Sequence, residues 1–386
     1  MTRRDEQPLV VFGPRSLDYD FGPLHPLTPR RFGPGIELLR ALGAKRFLAP
    51  EPATDAELLR LHDPAYLEAV QRHGLWPEEL PPSHGIGPGD DPAFAGMHEA
   101  GATVAGGSLA AMRAILDGTV EHAFHPGGGL HHALRDRASG FCIYNDVALA
   151  VALARDAGER VLYVDLDVHH GDGVQALFWD DPAVLTVSIH ESGRFLFPGG
   201  GAADERGGPA ARGRAVNLPL APGTGDATWW AAVERVVPAL AEAFRPTILV
   251  SQHGADSHLY DPLAHLALTT RSYARATRLL DELAHRRAGG RWLATGGGGY
   301  DAYRVVPRSW GLVWLAQAHR EGPVQTPAAW RERWAEDAAR HHQGPPPETW
   351  LDPEDLAGPE PPDAAAEAEP AVAQGLAGLD ELRSGT

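Results

Sequence analysis

Val161-Leu-Tyr-Val-Asp165-Leu-Asp167-Val-His169-His170-Gly171-Asp172-Gly173 is the stretch whose reading decides the fold. Four apolar residues run unbroken into carboxylates, imidazoles and paired glycines. An unbroken apolar run marks a strand covered on both faces, because a strand with one wet face alternates apolar and polar residues. The same grammar recurs: 248–250 runs into the polar cluster 251–256, and 291–295 runs into four glycines. Helical stretches at 228–244 and 272–285 lie between these runs. The pattern predicts an α/β domain with one central, mostly parallel sheet flanked by helices. Ligands of such sheets bind beyond the carboxyl ends of the strands, where the polar clusters fall.

Composition narrows the field. The 386 residues are 43% hydrophobic and 22% charged, ordinary for a globular chain. Cys142 is the single cysteine, which excludes an internal disulfide and a cysteine-based zinc cluster. A metal site here must therefore be built from His and carboxylate. No apolar run is long enough for a membrane span or a signal peptide, so a cytoplasmic protein is expected. Lys and Arg number 34 against 51 Asp and Glu, a formal charge of -17, which argues against nucleic acid or an anionic membrane as a direct partner. Residues 345–386 hold ten acidic residues and one base, Arg383, among many Pro and Ala. Residues 1–344 are thus expected to form the folded domain, and 345–386 a mostly solvated, partly disordered acidic tail docked at its start through Trp350 and Leu351.

Three constellations carry chemistry. If the strand at 161 continues, Asp165, Asp167 and His169 fall on one side of it. Three polar groups converging at a buried strand end call for a cation, whereas a lone Asp-x-His would be an ordinary hydrogen-bonded turn. Asp256, just past the run at 248, can add another ligand from a neighbouring strand. Asp, His and Asp leave one tetrahedral position open, the hallmark of a catalytic site, with Zn²⁺, Fe²⁺ or Co²⁺ as occupant. The second constellation is His125-Pro-Gly-Gly-Gly-Leu-His131-His132 followed by Ser139-Gly-Phe-Cys142, whose adjacent imidazoles suit a general base and acid beside metal-bound water. His341-His342, in a polar stretch, is a pair of the bland kind and receives no role. The third is Gly296-Gly-Gly-Gly299-Tyr300, which lacks the Gly-Lys-Ser/Thr ending of a phosphate loop and fits better as a close backbone approach to a cleft.

In this order and spacing the blocks resemble the zinc-dependent histone deacetylase family, in its bacterial acetoin-utilisation, class I-like form. The resemblance rests on Gly-Gly-Leu-His-His-Ala at 128–133, Ser-Gly-Phe-Cys at 139–142, Asp-Val-His-His-Gly-Asp-Gly at 167–173 and Gly-Gly-Gly-Gly-Tyr at 296–300, and extends from about His25 to Trp310. It implies an arginase/deacetylase-like fold, a metal held by Asp167, His169 and Asp256, and a proton-handling pair of His132 (base and acid) and His131 (electrostatic neighbour). It also implies that Tyr300 polarises the acetyl carbonyl and that Asp165 and Asp172 stand behind the two histidines. A structural potassium ion is implied around Asp165, Asp167, His169, Ser188 and Ile189. Gly140, Phe141 and Phe197 match the acyl-lysine tunnel, Leu263 its rim, and Asp90 a surface carboxylate that grips the substrate backbone.

Two positions depart from the pattern: His253 stands where class I relatives carry Cys, and Arg214 replaces an aromatic residue of a second monovalent-cation site. The activity implied is removal of acetyl groups from protein lysines, with acetyl-CoA synthetase as an implied substrate. Deacetylation of small acetylated amines such as polyamines is the alternative that shares the whole site, and a catalytically silent acyl-lysine binding module is the alternative of another class. Leu263 at the rim favours lysine, while Asp261 nearby leaves room for a polyamine.

Overall fold

The computed structural model describes residues 7–384. Among the described residues eight strands form one sheet: β1 (Leu9–Val11), β2 (Phe47–Leu48), β3 (His122–His125), β4 (Val161–Asp165), β5 (Val184–Glu191), β6 (Ala215–Leu220), β7 (Ile248–Gln252) and β8 (Trp292–Thr295). Their order is β2-β1-β3-β8-β7-β4-β5-β6 and every pairing is parallel. All five residues of β4 are buried, as are all five of β7 and all four of β8, which is why these runs lack polar alternation.

Alternate residues feed two cores. Leu162, Val164, Leu249 and Trp292 pack on one face with the helices Asp226–Phe244, Thr270–Arg287 and Val306–Gln317. Val161, Tyr163, Val250 and Leu293 pack on the other with the helices Met97–Leu116 and Asp146–Asp156. Both expected helical stretches are present, each extended by about one turn or less at its ends. Among the described residues no helix is long and apolar enough to cross a membrane.

The chain visits β3, moves outward through β4, β5 and β6, and then returns to lay β7 and β8 between β3 and β4. Four adjacent strands, β3, β8, β7 and β4, therefore end side by side. Each is followed by one of the polar stretches: 126–132 after β3, 296–300 after β8, 253–256 after β7 and 166–172 after β4.

The acidic C-terminal stretch differs from the solvated tail its composition predicts. It forms the helix Ala364–Ala377, whose Ala364, Ala368, Ala371 and Val372 are buried, the last three within the sheet's larger core. Small side chains allow the close approach; a Cβ on Gly375 would meet Val216, Val236 and Leu218 at 3.3–3.5 Å. Its acids find partners as well. Glu360 accepts hydrogen bonds from the Ala227 and Thr228 amides at 2.8 and 3.1 Å, capping a helix whose own N-cap, Gly225, has no side chain to do so. Composition misled because ten acids and many prolines spread over 345–386 outweigh one short Ala-rich segment with a buried face.

Candidate active site

Strand alternation would bring Asp165, Asp167 and His169 to one side; the structure converges only Asp167 and His169, and by a different route. β4 stops at Asp165. Beyond it the Asp165 carboxylate accepts the Asp167 amide at 3.1 Å, and the Asp167 carboxylate accepts the His169 amide at 3.0 Å. Each Asp thus bonds the backbone two residues on, a side-chain turn that Asp favours, and the two turns bring Asp167 and His169 into one cleft, while Asp165 stays behind it on His131 and the Tyr163 hydroxyl.

Asp167, His169 and Asp256 offer donor atoms that all lie within 4.8 Å of one another, and all three residues are buried. His169 Nδ1 is 3.1 Å from Asp167 Oδ1 and 3.2 Å from Asp256 Oδ2. The carboxylates are aimed from behind: Gln252 Nε2 and the Gly298 amide donate to Asp167 Oδ2 at 2.7 and 2.8 Å, and the Val168 amide donates to Asp256 Oδ1 at 3.0 Å. A Cβ at Gly298 would overlap Asp256 Oδ2, so the glycine run is needed for this approach. Burial, then the charge of Asp167, pushes the Asp256 carboxyl up to about 6. Burial acts against a charge on His169, yet Asp167 and Asp256 pull it up to about 10. Two carboxylates buried around one imidazole are short of positive charge, and oxygen and nitrogen donors with braced orientations suit a divalent ion.

Beside this cluster His131 Nδ1 donates to Asp165 at 2.7 Å and His132 Nδ1 donates to Asp172 at 2.6 Å, while the two Nε2 atoms stand 3.0 Å apart. With both Nδ1 protons committed to carboxylates, the resting pair carries a single Nε2 proton, and His132 gains its own only in the reaction. It belongs to His131: burial opposes its charge, but Asp165 and Asp167 carry it up to about 9. Burial and then the neighbouring charge of His131 push His132 down to about 4, so His132 presents a lone pair. Two adjacent residues of one type thus receive opposite roles from their surroundings. Tyr300 is buried, and burial followed by the charges of Asp256 and Asp167 lifts its hydroxyl above the ordinary phenol range, which keeps it a proton donor.

The walls are apolar. The Phe197 ring lies 5.0 Å from the His132 ring, and Phe141 lies 5.9 Å from Tyr300, both edge-to-face. Gly140 is needed between them, since a Cβ there would press to 2.6 Å on His132 and 2.8 Å on Phe197. Phe141 itself has φ of 68°, rare for a non-glycine residue, and Tyr19 pins the turn by donating to the Phe141 carbonyl at 2.8 Å and accepting the Ile143 amide at 2.9 Å. Leu263 is half-buried against the core that contains Tyr300. Asp90 is exposed, its carbonyl 3.1 Å from His25, whose ring meets Phe141 at 4.5 Å.

Ser188 is the cross-strand partner of Asp165, and Ile189 follows it within buried β5. His253 directs Nε2 to Ser251 Oγ at 2.8 Å, and the Arg214 guanidinium lies 5.0 Å over the Phe244 ring. Sequence reasoning missed Gln252, Tyr19 and Arg31, which donates to the Gly297 carbonyl at 2.7 Å. No short motif marks these three, because each supports a segment distant in sequence.

A histone deacetylase domain model matches residues 25–317. Acetoin utilization protein AcuC of Bacillus subtilis (strain 168) is 41% identical over 354 residues, covering 90% of each chain. AcuC of Staphylococcus aureus (strain MSSA476) is 39% identical over 343 residues, covering 86% of this chain and 88% of that one. A crystal structure described as an HDAC homolog complexed with SAHA superposes with a TM-score of 0.82 at 28% identity, covering 96% of this chain and all of the other. The chain belongs to the histone deacetylase family and has its fold.

Proposed function

We propose that this member of the histone deacetylase family is a divalent-metal-dependent hydrolase that removes acetyl groups from lysine side chains of proteins. Asp167, His169 and Asp256 would hold the ion, which when bound acidifies a water and polarises the amide oxygen. His132, neutral and braced by Asp172, takes the water proton on Nε2 and later returns it to the departing amine. His131, cationic and held by Asp165, supplies positive charge beside it. The Tyr300 hydroxyl donates to the oxygen on which negative charge develops. Phe141 and Phe197 receive the uncharged alkyl chain and keep water away from it. Asp165 and Ser188, with Asp167, His169 and Ile189 around them, would hold the structural potassium ion.

The observation that carries the choice of lysine over a polyamine concerns Asp261. Its Oδ1 accepts the Leu263 amide at 3.0 Å and its Oδ2 accepts the Tyr300 amide at 2.9 Å, and the residue is buried. That carboxylate braces the loop that presents Tyr300, and its burial turns it away from a second cationic nitrogen. The rim is left to Leu263. Acetylated acetyl-CoA synthetase is the protein substrate we propose. The test compares kcat/KM on acetyl-lysine peptides with that on an acetylated polyamine, with and without a metal chelator. Peptide turnover that is lost on chelation supports the reading, and a preference for the polyamine would overturn the substrate assignment.

A further inference from the structure

We propose that the protein has a second metal site, built from His122, Asp281, His285 and His319 at the amino ends of the central strands, and that it takes a tetrahedral zinc-like ion. These four residues offer donor atoms within 4.8 Å of one another. They come from three elements far apart in sequence: the first residue of β3, one face of the helix Thr270–Arg287, and the turn after the helix Val306–Gln317. Asp281 and His285 are four residues apart, the spacing that sets two side chains on one helical face.

The orientation of His122 points to a ligand. Its Nδ1 lies 2.7 Å from the Gln317 carbonyl, which can only accept, so the Nδ1 proton is committed there. The other nitrogen, Nε2, is buried, has no hydrogen-bond partner, and faces the Asp281 carboxylate at 3.8 Å. A buried imidazole nitrogen with no partner is costly unless something fills the space before it. A histidine ligand whose second nitrogen donates to a backbone carbonyl is the usual bracing of a metal site.

The separations fit one ion. Metal bonds of about 2.0–2.1 Å in a tetrahedron hold donor atoms about 3.3–3.4 Å apart. Four of the edges here are 2.9 Å (His285 Nε2 to His319 Nε2), 3.2 Å (His319 Nε2 to Asp281), 3.5 Å (His285 Nε2 to Asp281) and 3.8 Å (His122 Nε2 to Asp281), a spread centred on that value. The three imidazole rings surround a common centre at mutual distances of 4.9–5.2 Å. Three imidazoles and one carboxylate favour Zn²⁺, with Co²⁺, Ni²⁺ and Cu²⁺ as competent substitutes. Four protein donors leave no open position, so the site is structural and clamps β3 to two helices. His285 and His319 reach solvent and give the ion its way in.

The test measures bound zinc after equilibration against a competing chelator, in the wild type and in the His285→Asn/His319→Asn variant. The wild type should retain one equivalent more, the variant should keep wild-type deacetylase kinetics, and zinc should raise the Tm of the wild type further than that of the variant. Equal zinc content in the two would reduce the cluster to an adventitious ion only and overturn the proposal. A second measurement needs no change at this cluster: an Asp167→Asn/Asp256→Asn chain loaded with Co²⁺ should still show the intense visible bands of a tetrahedral ion. Their absence would overturn the second site whatever the fate of the first.

Discussion

At the carboxyl ends of the central strands, Asp167, His169 and Asp256 are buried, and each carboxylate has an oxygen fixed by an amide of the backbone or of Gln252. At the amino ends of the same strands, His122 alone is buried, while Asp281 and His285 on a helix and His319 in a turn stand nearer to solvent. The first cluster sets two carboxylates against one imidazole, the second three imidazoles against one carboxylate. Residue type is therefore a poor guide to what a cluster does; burial and bracing separate an unforgiving reaction centre from a tolerant clamp. In the buried centre each donor depends on the others, because removing one strands charge where water cannot answer it.

The sharpest way to break this contrast is Asp256→Asn, which should abolish turnover and lower metal occupancy at the carboxyl-end site, since a neutral amide replaces a charged donor in a three-ligand set. Metal analysis with peptide kinetics checks it, and full activity at full occupancy would remove Asp256 from the ligands. His132→Ala should cut kcat by about 10² to 10⁴ through loss of proton transfer. Tyr300→Phe should cost about 10² to 10³ while peptide still binds, because only a donor to the developing oxyanion is lost. Both variants should keep their metal; a metal-free His132→Ala enzyme would move His132 into the ligand set and leave His131 as the base.

The smallest effect on chemistry is expected away from both clusters. Asp352 is buried, accepts from Arg308 at 2.8 Å and from the Thr270 amide at 3.0 Å, and pairs with His258 at 3.0 Å. Although burial works to raise it, His258 and Arg308 hold this carboxyl well below the ordinary range. Asp352→Asn should leave kcat near wild type and reduce unfolding free energy by about 3–5 kcal/mol, the cost of breaking a buried pair. Its folded pKa lies below the unfolded value of about 3.9, so the stabilisation is complete above that pH and is lost as pH falls through the folded value. Denaturant melts of the two chains should accordingly draw together below about pH 4.

Legibility from sequence followed contiguity. The β4 run and its carboxylates, the Gly-Gly-Leu-His-His segment and the four glycines before Tyr300 each lie in one short stretch, so strand, turn and ligand could be read together. Local pattern still misassigned how Asp167 and His169 converge, since side-chain-to-backbone turns leave no period in the sequence. Gln252, Tyr19 and Arg31 act across 85 to 266 residues of chain. The histidine cluster spans residues 122–319, and its one local signal, Asp281 four before His285, is common on helix surfaces.

The docking of the helix Ala364–Ala377 on β6 and on the helix Asp226–Phe244 has a consequence for the order of synthesis. β6 is one of the two edge strands of the sheet, and the residues that cover Val216 and Leu218 are translated more than a hundred residues after it. Until they emerge, the nascent chain carries an uncovered apolar patch on the face of an edge strand, an exposed surface that invites association. A chain cut short before residue 364 should therefore be recovered mainly in the insoluble fraction, with its reaction centre encoded in full.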